Sequence, residues 1–201
     1  MRRASHSRHG PRTIEDRVRV PVARGTMTGM ILGGALGNPA RPFVAILGGA
    51  KISGKIDVIR SLLPKVDRLL IGGAMANTFF RAMDLQTGTS LVEDDRVDMA
   101  RELLQSSGDK LVLPVDLVVT DKLEGSTGKQ VVDREQIPAG QLAADVGPRT
   151  VEEFRRILGE ARTVVWNGPM GVFEQPDFAE GTRGVAQAVA EATDRGAITI
   201  V

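Results

Sequence analysis

Two short apolar runs in this chain each end in a glycine pair and lead into a helical pattern. Phe43-Val44-Ala45-Ile46-Leu47 precedes Gly48-Gly49, and Arg68-Leu69-Leu70-Ile71 precedes Gly72-Gly73. A strand that is apolar at every position has no face to offer water and must be covered on both sides. Ser53 to Leu63 then carries Ile56, Ile59 and Leu63 at helical spacing, with Ser53 placed as cap and Pro64 as terminator. Further helices are expected at 74–83, 95–106, 151–159 (capped by Thr150) and 182–193. Further strands are expected around Pro114, as one strand split in two (Leu111 to Leu113, then Leu117 to Val119), at 163–166 and at 197–201. This alternation predicts an α/β fold: a doubly wound, mainly parallel sheet with helices on both faces, a Rossmann-like three-layer domain over residues 36–201. Residues 1–35 stand apart as a leader, since MRRASHSRHGPRT is rich in arginine and lacks acids. Such a start resembles a transit peptide or belongs to a disordered or misassigned segment.

Composition removes several chemistries. The chain has no cysteine, and its only histidines, His6 and His9, lie in the leader. That excludes disulfides, thiolate metal sites and Ser-His-Asp or Cys-His catalysis in the expected domain. The spacing of the carboxylates suggests no metal cage. A net charge of +1 and an aromatic content of 3% argue against a nucleic-acid partner. No apolar run approaches the ~20 residues needed to cross a bilayer, so no membrane partner is expected and the setting reads as cytoplasmic.

The loops hold what remains. ILGGAKISGKIDVI contains GGAKISGK followed by Ile56 in place of the hydroxyl residue of a Walker A phosphate loop. Lys51 and Lys55 are four apart, a spacing that puts two ammonium groups on one helix face near a positive helix terminus. Gly48 and Gly49 would let an anion approach the backbone, or the lysines are simply solvated beside a turn. IGGAMANTFF repeats the device, and Gly72 and Gly73 suit either a flat ring against the backbone or close helix–strand packing. WNGPMGVFE places Asn167, Pro169, Gly171, Val172 and Glu174 in one short loop after a strand, either as ligand contacts or as a rigid turn. Asp116 and the Asp145-Val146-Gly147-Pro148 segment read as structural turns.

Taken in order, AILGGAKISGKIDVI, LLIGGAMANTFF, LPVDLVV, DVGPRT and VVWNGPMGVFE closely resemble the C-terminal, nucleotide-binding domain of phosphoglycerate kinase, from about residue 36 to 201. The resemblance implies reversible phosphoryl transfer between 1,3-bisphosphoglycerate and ADP, a step of glycolysis, with Mg²⁺ accompanying ATP or ADP. It implies that Lys51 steadies the transferring phosphoryl group and that Lys55, with Gly49 and Ala50, binds nucleotide phosphates. By the same resemblance Gly72 and Gly73 lie by the adenine, Asn167, Pro169, Gly171 and Val172 surround the nucleotide, and Glu174 takes the ribose. The family is typically monomeric. Its N-terminal domain, which binds 3-phosphoglycerate, and its glycine-rich GGGD segment have no counterpart in these motifs. The alternative expectation is therefore an ADP/ATP-binding fragment without turnover. Ala74 and Ala143 stand where the family pattern often has glycine.

Overall fold

The computed structural model describes residues 38–125 and 128–201, so the expected leader lies outside the described residues. Strand β1 (Phe43–Leu47) is buried at every position, as its unbroken apolar sequence requires. It pairs in parallel with β2 (Arg68–Ile71) on one side and β7 (Thr163–Asn167) on the other. β3 (Leu111–Val112) and β8 (Ile198–Ile200) complete a parallel sheet of order β3-β2-β1-β7-β8.

The pleat sends successive side chains of β1 to opposite faces. Phe43, Ala45 and Leu47 enter one core with Ile59 and Leu62 of α1 (Ile56–Leu62), Phe79 and Phe80 of α2 (Met75–Ala82) and Leu103 of α3 (Val97–Ser107). Val44 and Ile46 enter the other, against Phe154 and Leu158 of α4 (Pro148–Glu160) and Val185 and Val189 of α5 (Glu180–Asp194). The three-layer expectation holds, and α1 stops at Leu62, just before Pro64.

A second sheet was not expected. β5 (Lys129–Asp133), β4 (Asp116–Thr120) and β6 (Leu142–Val146) form an antiparallel sheet of order β5-β4-β6. The apolar segments around Pro114, read as two halves of one strand, go to different sheets: β3 stays with the parallel layer and β4 leaves it. β5 has exposed and partly exposed positions only, so no apolar periodicity announced it.

Both expected helix caps have other work. Ser53 lies in a 3₁₀ turn (Ser53–Lys55) ahead of α1, and its hydroxyl goes to Glu93 instead. Thr150 is the third residue of α4, whose first residue is Pro148 and whose N-cap is Gly147. Proline suits that position because its missing N–H would be unpaired there anyway. The Thr150 hydroxyl instead meets buried Asp116, whose carboxylate accepts the Arg149 and Thr150 amides at 3.0 and 2.8 Å. The helix is thus capped from β4 rather than from its own chain.

Candidate functional site

The carboxyl ends of β1, β2 and β7 face the second sheet across a cleft of about 310 Å³. In a doubly wound sheet this is the crevice where ligands sit. Gly49 and Ala50 line it after β1, Gly73, Ala74 and Asn77 after β2, and Pro169, Met170, Gly171, Val172 and Glu174 after β7. Leu117 and Ala143 through Val146 close the far wall. Most of this lining is apolar, while Glu174 is solvent-exposed.

The glycines let three loops interlock. The Gly48 and Gly49 amides donate to the Asn167 and Pro169 carbonyls, both at 2.9 Å, and the Gly73 amide donates to the Met170 carbonyl at 2.9 Å. A Cβ on Gly48 would lie 2.0 Å from the Pro169 oxygen. Gly73 has φ +70°, and a Cβ there would fall 2.5 Å from the Gly49 backbone. Gly72 is buried, with Met170 Sδ 2.5 Å from the Cβ position. Of the two readings open for the second glycine pair, close packing describes Gly72, whereas Gly73 both packs against Gly49 and lines the cleft.

The lysines differ from the expected picture. Lys51 precedes the 3₁₀ turn and Lys55 ends it, so they flank a turn rather than share a helix face. Lys51 is exposed. Lys55 is partly buried, and its ammonium donates to both the Asn167 carbonyl (3.2 Å) and the Asn167 side-chain oxygen. Its Nζ lies 3.8 Å from the Cβ position of Gly49, beside the cleft wall, and burial lowers its pKa below the usual lysine value. An ammonium has three N–H donors, so one is left to meet a ligand. Lys51, Lys55, Gly72 and Asn167 therefore stand behind or beside the lining rather than in it, while Gly49, Ala50, Gly73, Pro169, Gly171, Val172 and Glu174 converge on the cleft.

Two carboxylates escaped the sequence reading. Glu93 accepts the Ser53 amide at 3.0 Å and the Ser53 hydroxyl at 2.5 Å, clasping the lysine loop from the segment after α2. Desolvation pushes its pKa up, but the bonds from Ser53 and the Ile52 amide, with the Lys51 charge, outweigh that and hold it below the ordinary value. Nothing in SLVEDDR marks that role, because the contact spans 40 residues. Asp145, read as part of a turn, is buried in the cleft wall, and burial raises its carboxyl from 3.8 to about 6.

The arrangement offers a fixed cation, a backbone free of side chains at two loops and an apolar slot, with no hydroxyl, thiol or amine side chain among the lining residues. It suits a flat, phosphorylated ligand and chemistry done by positioning charge. The family model described as Phosphoglycerate kinase matches residues 27–201. Phosphoglycerate kinase of Chloroflexus aurantiacus is 56% identical over 173 residues, which cover 85% of this chain and 43% of that protein. The one from Rubrobacter xylanophilus is 51% identical over 201 residues, 98% of this chain and 50% of that one. Among solved structures, phosphoglycerate kinase from Coxiella burnetii superposes with a TM-score of 0.79 at 40% identity, covering 86% of this chain and 45% of its own. That from Pyrococcus horikoshii gives 0.70 at 30%, covering 85% and 48%. The chain thus spans about half the length of the relatives it matches, and on the family match over residues 27–201 and these relatives it belongs to the phosphoglycerate kinase family.

Proposed function

We propose that the cleft binds ADP or ATP and that residues 36–201 form the nucleotide-binding part of a phosphoglycerate kinase. The convergence of the three glycine-bearing loops on one apolar slot, with the Lys55 ammonium held against Gly49, carries this reading. The adenine lies in the slot between Gly73 and Val172, Glu174 accepts the ribose hydroxyls, and the phosphates run toward Gly49, Ala50 and Lys55. Ala74 and Ala143 narrow the slot on its two sides. Lys51, exposed on the loop that Glu93 clasps, is the group that compensates charge on the transferring phosphoryl. Whole-length activity, reversible transfer between 1,3-bisphosphoglycerate and ADP in the cytoplasm, is proposed from the family, with 3-phosphoglycerate bound by a domain outside these motifs.

Magnesium enters as a companion of the nucleotide. Among the described residues no group of three or more carboxylates or histidines stands close enough to hold a metal ion. Mg²⁺ commonly takes most of its ligands from phosphates and water, and when bound it would neutralise phosphate charge. The chain's own part is to bind the base, orient the phosphates and exclude water. Among the described residues no helix is long and apolar enough to cross a membrane.

Calorimetric titration with ADP tests the binding. Lys55→Ala removes a charge-assisted hydrogen bond, and the expected loss is about 10- to 100-fold in affinity. Equal affinities for the two proteins would contradict the assignment. A coupled assay with ATP and 3-phosphoglycerate tests turnover. If turnover is present, Lys51→Ala is expected to lower it by about 10²–10³ with little change in ADP affinity. Binding without turnover supports the non-catalytic reading of the isolated chain.

A further inference from the structure

Two of three consecutive residues in the loop after β7 are held by hydrogen bonds, and the one between them packs against a carboxylate. The Met170 amide donates to the Thr182 hydroxyl of α5 at 3.1 Å, and the Val172 amide donates to the Ala144 carbonyl of β6 at 2.8 Å. Between them, Gly171 lies against the Asp145 carboxylate so closely that a Cβ would sit 2.2 Å from Oδ1. The same carboxylate accepts the Gly181 amide in the first turn of α5 at 2.7 Å, and Oδ1 accepts the Val146 amide at 2.9 Å. A Cβ on Gly181 would fall 2.3 Å from Oδ1. One carboxylate thus touches β6, α5 and the loop at once, and two of its neighbours are glycines because nothing larger fits.

We propose that Asp145 is a positioning residue for the nucleotide loop: its carboxylate fixes Met170–Val172 against the head of α5, and nucleotide affinity depends on that fixation. This rests on the reading that the cleft binds nucleotide. Each carboxylate oxygen accepts an N–H bond, so a proton added to one of them weakens or displaces the bond that it accepts. The carboxyl is raised to about 6, chiefly by burial, so the displacement falls in a mild pH range. The charged groups facing it are Glu180 of α5, which adds to the shift, and Lys129 of β5, which opposes it. Lys129 also pairs with Asp177 at 3.4 Å, and Glu180 with Arg183 at 2.9 Å, so each is partly neutralised.

The linkage has an unusual sign. A carboxyl raised from 3.8 to about 6 on folding takes up its proton more readily in the folded protein than in the unfolded chain. Its ionised form is therefore a stability cost that appears as pH rises through that window. Protonation stabilises the fold and loosens the loop, so stability and affinity should move in opposite directions.

The test uses the full chain and two readouts. The first is ¹H–¹⁵N spectra of wild type and Asp145→Asn across mildly acidic to neutral pH. Wild type should show the Gly171 and Gly181 amides titrating together with one midpoint near 6, absent from the variant. The second is affinity for adenosine, which carries no phosphate to titrate. It should weaken about tenfold in wild type below the midpoint, and be weak and flat with pH in the variant. Thermal melts should show wild type gaining stability relative to the variant as pH falls through the same range. Titration of Gly181 without Gly171 would make Asp145 an ordinary helix cap and overturn the proposal, as would pH-independent adenosine binding by wild type. If wild type binds neither adenosine nor ADP at any pH, the nucleotide reading itself fails, and whenever adenosine does not bind, the joint titration of the two glycines decides the clamp by itself. The wild-type titration stands even if Asp145→Asn fails to fold.

Discussion

Gly48→Ala is expected to lower the unfolding free energy by about 3 kcal/mol and to abolish ADP binding, although it adds a single methyl group. The new carbon would lie 2.0 Å from the Pro169 carbonyl oxygen, 2.7 Å from the Gly168 oxygen and 2.6 Å from Met170 Cε. Met170 can rotate away, but two backbone carbonyls cannot. The strand end and the 168–170 loop must separate, which breaks the amide bonds from Gly48 to Asn167 and from Gly49 to Pro169. Those bonds also hold the wall against which the Lys55 ammonium rests. Gly159→Ala is the matched control, since a Cβ there meets nothing within 4 Å in the middle of α4's last turn. It should be neutral or stabilising by up to about 1 kcal/mol. Urea denaturation of both variants, read as shifts in midpoint at constant slope, measures the contrast. A Gly48→Ala variant within 1 kcal/mol of wild type, still binding ADP, would show that the loop junction is softer than its packing implies.

Asp116→Ala is expected to cost about 3–4 kcal/mol. The carboxylate accepts the Arg149 amide, the Thr150 amide and the Thr150 hydroxyl at 3.0, 2.8 and 2.7 Å, while the Arg149 guanidinium lies 3.6 Å away. It is the cap of α4, delivered from a neighbouring strand. Truncation leaves two first-turn amides without an acceptor in a region where water has little access, while the Thr150 hydroxyl keeps only the Asp116 backbone carbonyl at 3.0 Å. Most of that loss is desolvation left uncompensated rather than the strength of the bonds themselves. Asp116→Asn should fall between, because its amide nitrogen turns one acceptor into a donor facing an N–H. Denaturation midpoints of the two variants would place them in that order. Equal losses for both would mean that the charge rather than the acceptor count matters. A hydrogen-exchange experiment would localise the effect, with protection lost first at the start of α4.

These two sites also show what the sequence could and could not reveal. β1 and β2 were legible because burial on both faces leaves a signature in every residue of the run. Pro64 was legible because it acts on its own neighbours. The glycine pairs were legible as special, but their cause was not. Gly48 is there for a carbonyl more than a hundred residues further along the chain, and no local pattern carries that. Thr150 and Ser53 failed as caps for a related reason: each hydroxyl met a carboxylate from a distant segment before it could serve its own helix. Asp145 sits in DVGP, which reads as a turn, and only the arrival of α5 at Gly181 turns it into a buried junction. β5 stayed hidden because its edge position leaves it polar and exposed, and strands of that kind resemble loops. The resemblance to a known family supplied what local chemistry could not, namely that separate loops meet in one place.

The central claim is that Lys55, fixed by Asn167 beside the Gly48–Gly49 bend, and Lys51 on the clasped loop serve the phosphates of an adenine nucleotide lying in the slot between Gly73 and Val172. A crystal structure of the chain with Mg·ADP tests it most directly. The account predicts the base in that slot, with the terminal phosphate at about 3 Å from Lys55 Nζ and the ribose hydroxyls on Glu174. ADP bound instead in the groove between α1 and α3, beside Arg60, Glu102 and Lys110, would contradict it, and so would phosphates turned away from both lysines.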